Sequence, residues 1–153
     1  MAHSGTFVGS SHGFNYQRVD YIDTAGTQLT PADSGKIIVL DADMASSAQA
    51  FVYLPLLADV DMGYSVKFIV DATTSNDLTV AHHSSDSASI LGVIASGDGT
   101  GGEASDDTEK AEVNFTSNCC HGDSFSATKV GNGTSSWWQV EGYAAANNHM
   151  SFA

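Results

Sequence analysis

Cysteine and histidine residues are the first candidates for chemistry in this chain of 153 residues. Cys119, Cys120 and His121 are consecutive, and His82 and His83 form a second pair. Structural zinc sites place ligands two to four residues apart, so that one loop wraps the ion. On a strand, neighbouring side chains point to opposite faces, so Cys120 could not join Cys119 and His121. Adjacent cysteines also rarely bridge each other, because the intervening peptide would be strained. The pattern therefore favours two reduced thiols, at least one of them buried, and we predict no metal.

Acidic residues in the segment 96–110 are candidates for a different ion. This segment is polar and rich in glycine, and four of its acids could offer oxygen ligands to calcium: Asp98, Glu103, Asp106 and Asp107. Their spacing does not match the twelve-residue loop of an EF-hand. Solvated charge on an exposed loop is therefore favoured over a calcium site.

The chain contains residue types that can act in catalysis, but their spacing matches no catalytic motif. His149 and Asp123 could serve a nucleophile, but nothing in the sequence places them beside a serine. The glycine-rich segment 97–102 lacks the lysine and the following helix of a phosphate-binding loop. We predict that the protein is not an enzyme and that it binds no cofactor, and a small hydrolase is the least favoured alternative.

The charge balance excludes two classes of partner. Five Lys and Arg residues against 18 Asp and Glu give a net charge of −13. Binding to phosphate backbones or anionic membranes needs clustered basic residues. The five basic residues are scattered: Arg18, Lys36, Lys67, Lys110 and Lys129. No apolar stretch is long enough to span a bilayer, and the first six residues lack the features of a secretory signal.

The elements that position these residues read as strands. Short apolar runs separated by turn residues predict an all-β fold, either an antiparallel β-sandwich or a barrel-like domain. The predicted strands are 17–22, 36–41, 50–54, 64–71, 77–82, 89–95, 111–116, 124–130 and 136–142, with room for a short helix in 56–62. Residues 1–15 read as an extended N-terminal arm, and residues 16–153 as a single β domain.

Alternation along the strands predicts which side chains face the core. Val113 and Phe115 share one face, and Trp138 shares a face with Val140. Trp137 lies on the opposite, polar face. Together with Tyr143 it is the predicted adhesion surface, and a sugar-stacking platform could also include Tyr53 and Tyr64.

Two runs are apolar on both faces, 37–40 and 50–54. One face of each must be covered by a loop, by the N-terminal arm or by another subunit. We favour a subunit and predict that Ile38, Phe51 and Tyr53 form its interface. In the arm, the aromatic residues Phe7, Phe14 and Tyr16 are predicted to contact a neighbouring protein.

Four segments carry a resemblance to a known class of protein. A turn of Pro, Asp, Ser and Gly feeds the strand within 29–41, and Leu54-Pro55, the strand 63–70 and the hairpin 131–140 follow. This combination resembles the small all-β modules of tailed-bacteriophage virion proteins, both capsid decoration proteins and fibre proteins.

The resemblance implies a non-enzymatic capsid decoration (cement) protein. Such a protein would bind the major capsid protein on the outer capsid surface as a homotrimer and stabilise the shell, after assembly in the host cytoplasm. The alternative is a receptor- or glycan-binding module of a phage tail or fibre.

Overall fold

The structure is a computed structural model that describes residues 18–87, 89–99, 101–105 and 108–153. The predicted arm, with Phe7, Phe14 and Tyr16, lies outside the described residues, as do Asp106 and Asp107. Three 3₁₀ helices occur in the described part of the chain, at Pro31–Asp33, Ala42–Ala45 and Leu57–Asp59. No helix in this part of the chain has the length and apolar character needed to cross a membrane.

The described residues form twelve strands. In chain order they are β1 (Val19–Ile22), β2 (Thr27–Gln28), β3 (Ile37–Leu40), β4 (Ala50–Tyr53), β5 (Ser65–Val70), β6 (Leu78–Ala81), β7 (Ile90–Ser96), β8 (Glu103–Ala104), β9 (Glu112–Phe115), β10 (Ser124–Gly131), β11 (Ser136–Ala144) and β12 (Met150–Phe152). The first sheet has the order β1-β3-β5-β10-β11-β7-β8, and the second has the order β12-β9-β6-β4-β2. The all-β prediction is confirmed, and the two sheets share one core in a sandwich-like arrangement.

All nine predicted strands are present, with ends that differ by two residues at most. The predicted short helix in 56–62 is the 3₁₀ helix Leu57–Asp59. The short strands β2, β8 and β12 were not predicted, because two or three residues show no alternation. In particular, β8 lies inside the segment 96–110 that was predicted to be an open loop, and it pairs with β7.

The expectation of purely antiparallel sheets is wrong, because both sheets are mixed. Strands β1, β3 and β5 run parallel in the first sheet, and β2, β4 and β6 run parallel in the second. The chain alternates between the sheets over these six strands, so each strand of one sheet is the crossover for two strands of the other. Successive strands in the same sheet therefore enter in the same direction, as parallel pairing requires.

Aromatic side chains join the two sheets. The ring of Phe115 in β9 lies 5.6 Å from that of Phe125 in β10, which in turn lies 5.0 Å from that of Phe68 in β5. Trp138 is fully buried, and Tyr64 packs edge-on against it at 5.5 Å. The predicted inward positions of Val113, Phe115, Trp138 and Val140 are confirmed, since all four are fully buried.

The inward row of β10 carries a charged residue at each end. Alternation turns Phe125, Ala127 and Lys129 toward the core, and Asp123 continues the row just before the strand. Lys129 Nζ donates to the carbonyl oxygens of Leu57 at 2.7 Å and Val60 at 2.6 Å. These bonds satisfy the buried ammonium group and hold the 3₁₀ helix Leu57–Asp59 against the end of the sandwich.

The turn that opens the 29–41 segment is held by charge. Thr30 and Asp33 form a capping box, with the Thr30 amide donating to the Asp33 carboxylate at 2.7 Å. Lys36 is buried and pairs with both Asp33, at 2.6 Å, and Asp20. Burial opposes ionisation of Asp33, but the hydrogen bonds from Lys36 and Thr30 outweigh it and lower the pKa of this carboxyl. The bonds to Asp20 and Asp33 raise the pKa of Lys36.

These shifts predict a loss of stability in acid. Because the pKa of Asp33 is lower in the folded chain than in the unfolded chain, its contribution is present above about pH 4 and disappears as the pH falls through the folded value. The contribution of Lys36, whose pKa is raised, is present at and below neutral pH and is lost only in strong alkali. We expect the difference in unfolding free energy between wild type and Asp33→Asn to shrink as the pH is lowered from 7 to about 2.5. Urea unfolding measures this, with the exposed Asp61→Asn as control, and a difference independent of pH would contradict it.

The two adjacent tryptophans provide a matched test of the faces. Trp138→Ala empties a fully buried site and is expected to cost about 3–5 kcal/mol of unfolding free energy. Trp137→Ala removes a half-buried, outward side chain and is expected to cost roughly 1 kcal/mol or less. Chemical denaturation of both variants gives the comparison, and equal losses would show that the inward and outward faces of β11 are assigned wrongly.

Candidate functional site

One exposed surface of the first sheet is apolar. The outer sheet face, defined as the outward side of β1, β3 and β5, carries the apolar residues Val19, Tyr21, Ile37, Val39 and Ile69, and on β5 also Ser65 and Lys67. The register places Tyr21 beside Val39 and Val39 beside Ile69, with Val19 beside Ile37 in the next row. Val19 is 62% exposed and Tyr21 55%, and the other three are half-buried. The apolar side chains are therefore contiguous across three strands.

The Tyr21 ring is exposed, but its hydroxyl group is held by a hydrogen bond. Its hydroxyl donates to the Asp71 carboxylate at 2.8 Å, and this bond raises the pKa of the phenol. The other oxygen of Asp71 accepts from the backbone amide of Ala42 at 2.9 Å. An exposed aromatic ring that is already held in place loses little side-chain entropy when a partner covers it, which is typical of protein-binding surfaces.

The interface prediction for Ile38 is wrong. Ile38 is only 1% exposed and lies in the core of its own chain. Alternation in β3 turns Ile38 and Leu40 inward and leaves Ile37 and Val39 on the outer sheet face. A run that is apolar on both faces does not indicate which face is inward, and this is why the sequence assigned Ile38 to the outward side.

Phe51 and Tyr53, the other two predicted interface residues, lie on the outward side of β4 in the second sheet. Both are half-buried, and their rings stack at 6.1 Å with an interplanar angle of 10°. They occupy the other sheet from Ile37 and Val39, so the two apolar runs present separate surfaces. Their part in a subunit interface stays a prediction.

The predicted adhesion residues do not form one platform. Trp137 and Tyr143 share the outward face of β11, but six residues of extended strand separate their Cα atoms by about 20 Å. Tyr53 lies on the second sheet, and Tyr64 is buried against Trp138. Tyr143 is 55% exposed and borders a shallow depression that is also lined by Lys67, Ser124, Ser126 and Glu141.

A second cluster lies where two turns meet at the end of the sandwich. Asp123, only 3% exposed, accepts from the backbone amides of Cys120 at 2.7 Å and Ala145 at 2.8 Å. His149 Nδ1 lies 2.8 Å from the carboxylate oxygen that also accepts from Cys120. One buried carboxylate thus joins the turn between β9 and β10 to the turn between β11 and β12.

The adjacent cysteines have separate environments. Both are free thiols, and Cys119 is fully buried with its Sγ 3.7 Å from Thr74 Oγ1, as the prediction of at least one buried thiol required. Burial raises the pKa of the Cys119 thiol. Cys120 is half-buried, and its Sγ lies within 4.8 Å of ligand atoms of Asp123 and His149. His121 is exposed and has no place in this cluster.

Sequence reasoning named Asp123, His149 and Cys120 but did not join them. His149 follows Asp123 by 26 residues, and the pairing of β10 with β11 and of β9 with β12 returns the chain to the same end of the fold. A local signal was present in the Cys-x-x-Asp spacing of Cys120 and Asp123, which matches the ligand spacing of a metal-binding loop.

The acidic segment 96–110 is partly ordered by its neighbours. Asp98 accepts from Ser96 Oγ at 2.5 Å and from the amide of Asn147 at 3.3 Å, and Glu103 lies in β8. In the part of this segment that the structure describes, Asp98 therefore serves to hold the turn before β12. The sequence as a whole matches no protein-family model and no curated protein.

Neighbouring substitutions in β3 separate the core from the outer sheet face. Ile38→Asp buries an unpaired charge and is expected to unfold the protein, whereas Val39→Asp places the same charge on the half-buried outer side and is expected to leave it folded. Near-ultraviolet circular dichroism of the two variants measures this difference. A folded Ile38→Asp variant would contradict the inward assignment of Ile38.

Proposed function

We propose that the protein is a non-enzymatic structural component of a tailed-phage virion, a capsid decoration protein that binds the outer shell as a homotrimer. The observation that carries the proposal is the contiguous apolar surface of the outer sheet face, on which Tyr21 is held rigid by Asp71. A contiguous exposed apolar patch on a small domain is typical of a protein-binding site. The virion assignment and the trimer rest on the resemblance of the 29–41, 54–55, 63–70 and 131–140 segments to phage decoration modules.

The charge distribution supports protein association through this face. The chain carries a net charge of −13, so copies repel one another wherever acidic surfaces meet. Lys67 lies beside Ile37 on the outer sheet face, where it brings a positive charge to the apolar rows. An apolar surface that contains a lysine suits contact with an acidic protein surface.

The proposed mechanism is binding energy without chemistry. Covering the outer sheet face stabilises the complex by about 25 cal/mol for each Å² of apolar surface removed from water. A trimer repeats the contact three times, and linked contacts raise the overall affinity far above that of one contact. Such a protein would clamp neighbouring capsid subunits and so oppose their separation.

Location on the virion is the first experiment. Immunogold labelling of intact particles of the source virus is expected to place the protein evenly over the head. Label confined to the tail or to fibre tips would overturn the decoration proposal and favour the receptor-binding alternative. In that case Tyr143 and the depression that it borders would be the first surface to mutate.

Binding to capsids tests the face itself. Val39→Asp is expected to weaken saturable binding to undecorated capsids by at least about tenfold, because it places a charge in the apolar rows. Val93→Asp is the matched control, since Val93 is 52% exposed on β7 and two strands, β10 and β11, lie between β7 and β5. Co-sedimentation with capsids measures both variants, and equal loss of binding in both would contradict a role specific to the outer sheet face.

A further inference from the structure

The cluster of Cys120, Asp123 and His149 has the composition of a metal site. One ligand atom of each residue lies within 4.8 Å of the other two, and Asp123 is buried while Cys120 and His149 are half-buried. The three donors are sulfur, oxygen and nitrogen. Zinc binds this mixture, whereas calcium and magnesium prefer oxygen ligands throughout. A thiolate and a carboxylate together also neutralise the two charges of the ion.

The distances are close to those of a tetrahedral zinc site. Zinc lies about 2.3 Å from sulfur and about 2.0–2.2 Å from nitrogen or oxygen, which sets tetrahedral ligand atoms about 3.4–3.6 Å apart. His149 Nδ1 and Asp123 Oδ2 are already 2.8 Å apart, and the three ligand atoms are within 4.8 Å. An ion would therefore separate the first pair slightly and draw the Cys120 thiol inward by about 1 Å at most. Neither movement changes a strand, because all three residues lie in turns.

The carboxylate is oriented before any ion arrives. Backbone amides from both turns, those of Cys120 and Ala145, donate to the two oxygens of Asp123. Hydrogen bonds of this kind fix the direction of a ligand and raise metal affinity. Asp123 also stands at the end of the inward row that contains Phe125, so its position is set by the packed core.

The two cysteines of this turn have different surroundings. Cys119 fills the core at this turn, while the half-buried Cys120 thiol lies beside Asp123 and His149. The Cys-x-x-Asp spacing lets one turn supply two ligands, and His149 supplies the third from the turn before β12.

We propose that Cys120, Asp123 and His149 bind one zinc ion, with water in the fourth position. The ion would join the β9–β10 turn to the β11–β12 turn and thereby clamp the first sheet to the second at this end of the sandwich. Binding releases the thiol proton and stabilises the folded chain, since the unfolded chain has no assembled site. This site is separate from the outer sheet face, so the zinc proposal does not depend on the proposed capsid role.

Cobalt provides the spectroscopic test, because zinc itself has no visible absorption. The untagged full chain is freed of metal with a chelator and titrated with Co²⁺. We expect the protein to bind one equivalent of Co²⁺ and to show a thiolate-to-cobalt charge-transfer band together with the visible bands of tetrahedral coordination. Both sets of bands are expected to disappear when Zn²⁺ displaces the cobalt. Zinc is also expected to raise the melting temperature. Titration without a charge-transfer band would overturn the proposal.

Matched variants assign the ligands. Cys120→Ser is expected to abolish the charge-transfer band and His149→Gln to weaken binding by at least about tenfold. Cys119→Ala and His121→Gln, at the neighbouring thiol and the neighbouring histidine, are expected to retain both the band and the affinity. A band that persists in Cys120→Ser, or an affinity unchanged in His149→Gln, would refute this ligand set.

A measurement on the wild-type chain covers the case in which a variant fails to fold. Zn²⁺ is expected to protect Cys120 from alkylation by iodoacetamide, as read at that residue by peptide mass spectrometry. Equal alkylation of Cys120 with and without zinc would overturn the proposal.

Discussion

The contact between Phe115 and Phe125 is the interaction on which the rest of the structure depends, because it joins the two sheets through one pair of buried rings. Phe68 extends this contact along the first sheet, and all three rings are excluded from water. Once these residues face inward, the period of two fixes the facing of every other residue on their strands. On the neighbouring strand β3, Ile38 is paired in register with Phe68 and shares its inward side, so Ile37 and Val39 are left on the outward side.

The same contact explains why a charged residue is buried at each end of β10. Phe125 and Ala127 fill the middle of the inward row, so Asp123 and Lys129 reach the two ends of the sandwich. Each of these two side chains is hydrogen-bonded to backbone groups of nearby turns. Neither is paired with a Lys, Arg, Asp or Glu side chain among the described residues. Lys129 donates to two backbone carbonyls, and Asp123 accepts from two backbone amides and lies beside His149. Buried charge at these positions thus organises the connections that close the fold.

The path of the chain separates the two candidate sites. Alternation between the sheets over the first six strands brings β1, β3 and β5 together and makes the apolar side chains on their outward side contiguous. The later strands run antiparallel to their partners in β10–β11 and β9–β12, which brings the turn residues Cys120 and His149 to one end. A surface suited to another protein and a cluster suited to a metal ion therefore belong to different halves of the topology.

The sequence by itself determined the strands and many of their faces. Nine strands are visible because alternation and turn residues are local signals, and Trp138 and Val140 were assigned to the core on the same grounds. The sequence did not determine the parallel pairing, because the direction of a neighbouring strand depends on where the chain crosses between sheets. It also did not determine which side of 37–40 faces inward, since both sides are apolar and only packing against Phe68 and its neighbours decides between them. The meeting of Cys120, Asp123 and His149 was decided by the tertiary structure for the same reason, because contacts between residues 26 positions apart follow from strand pairing and not from local spacing.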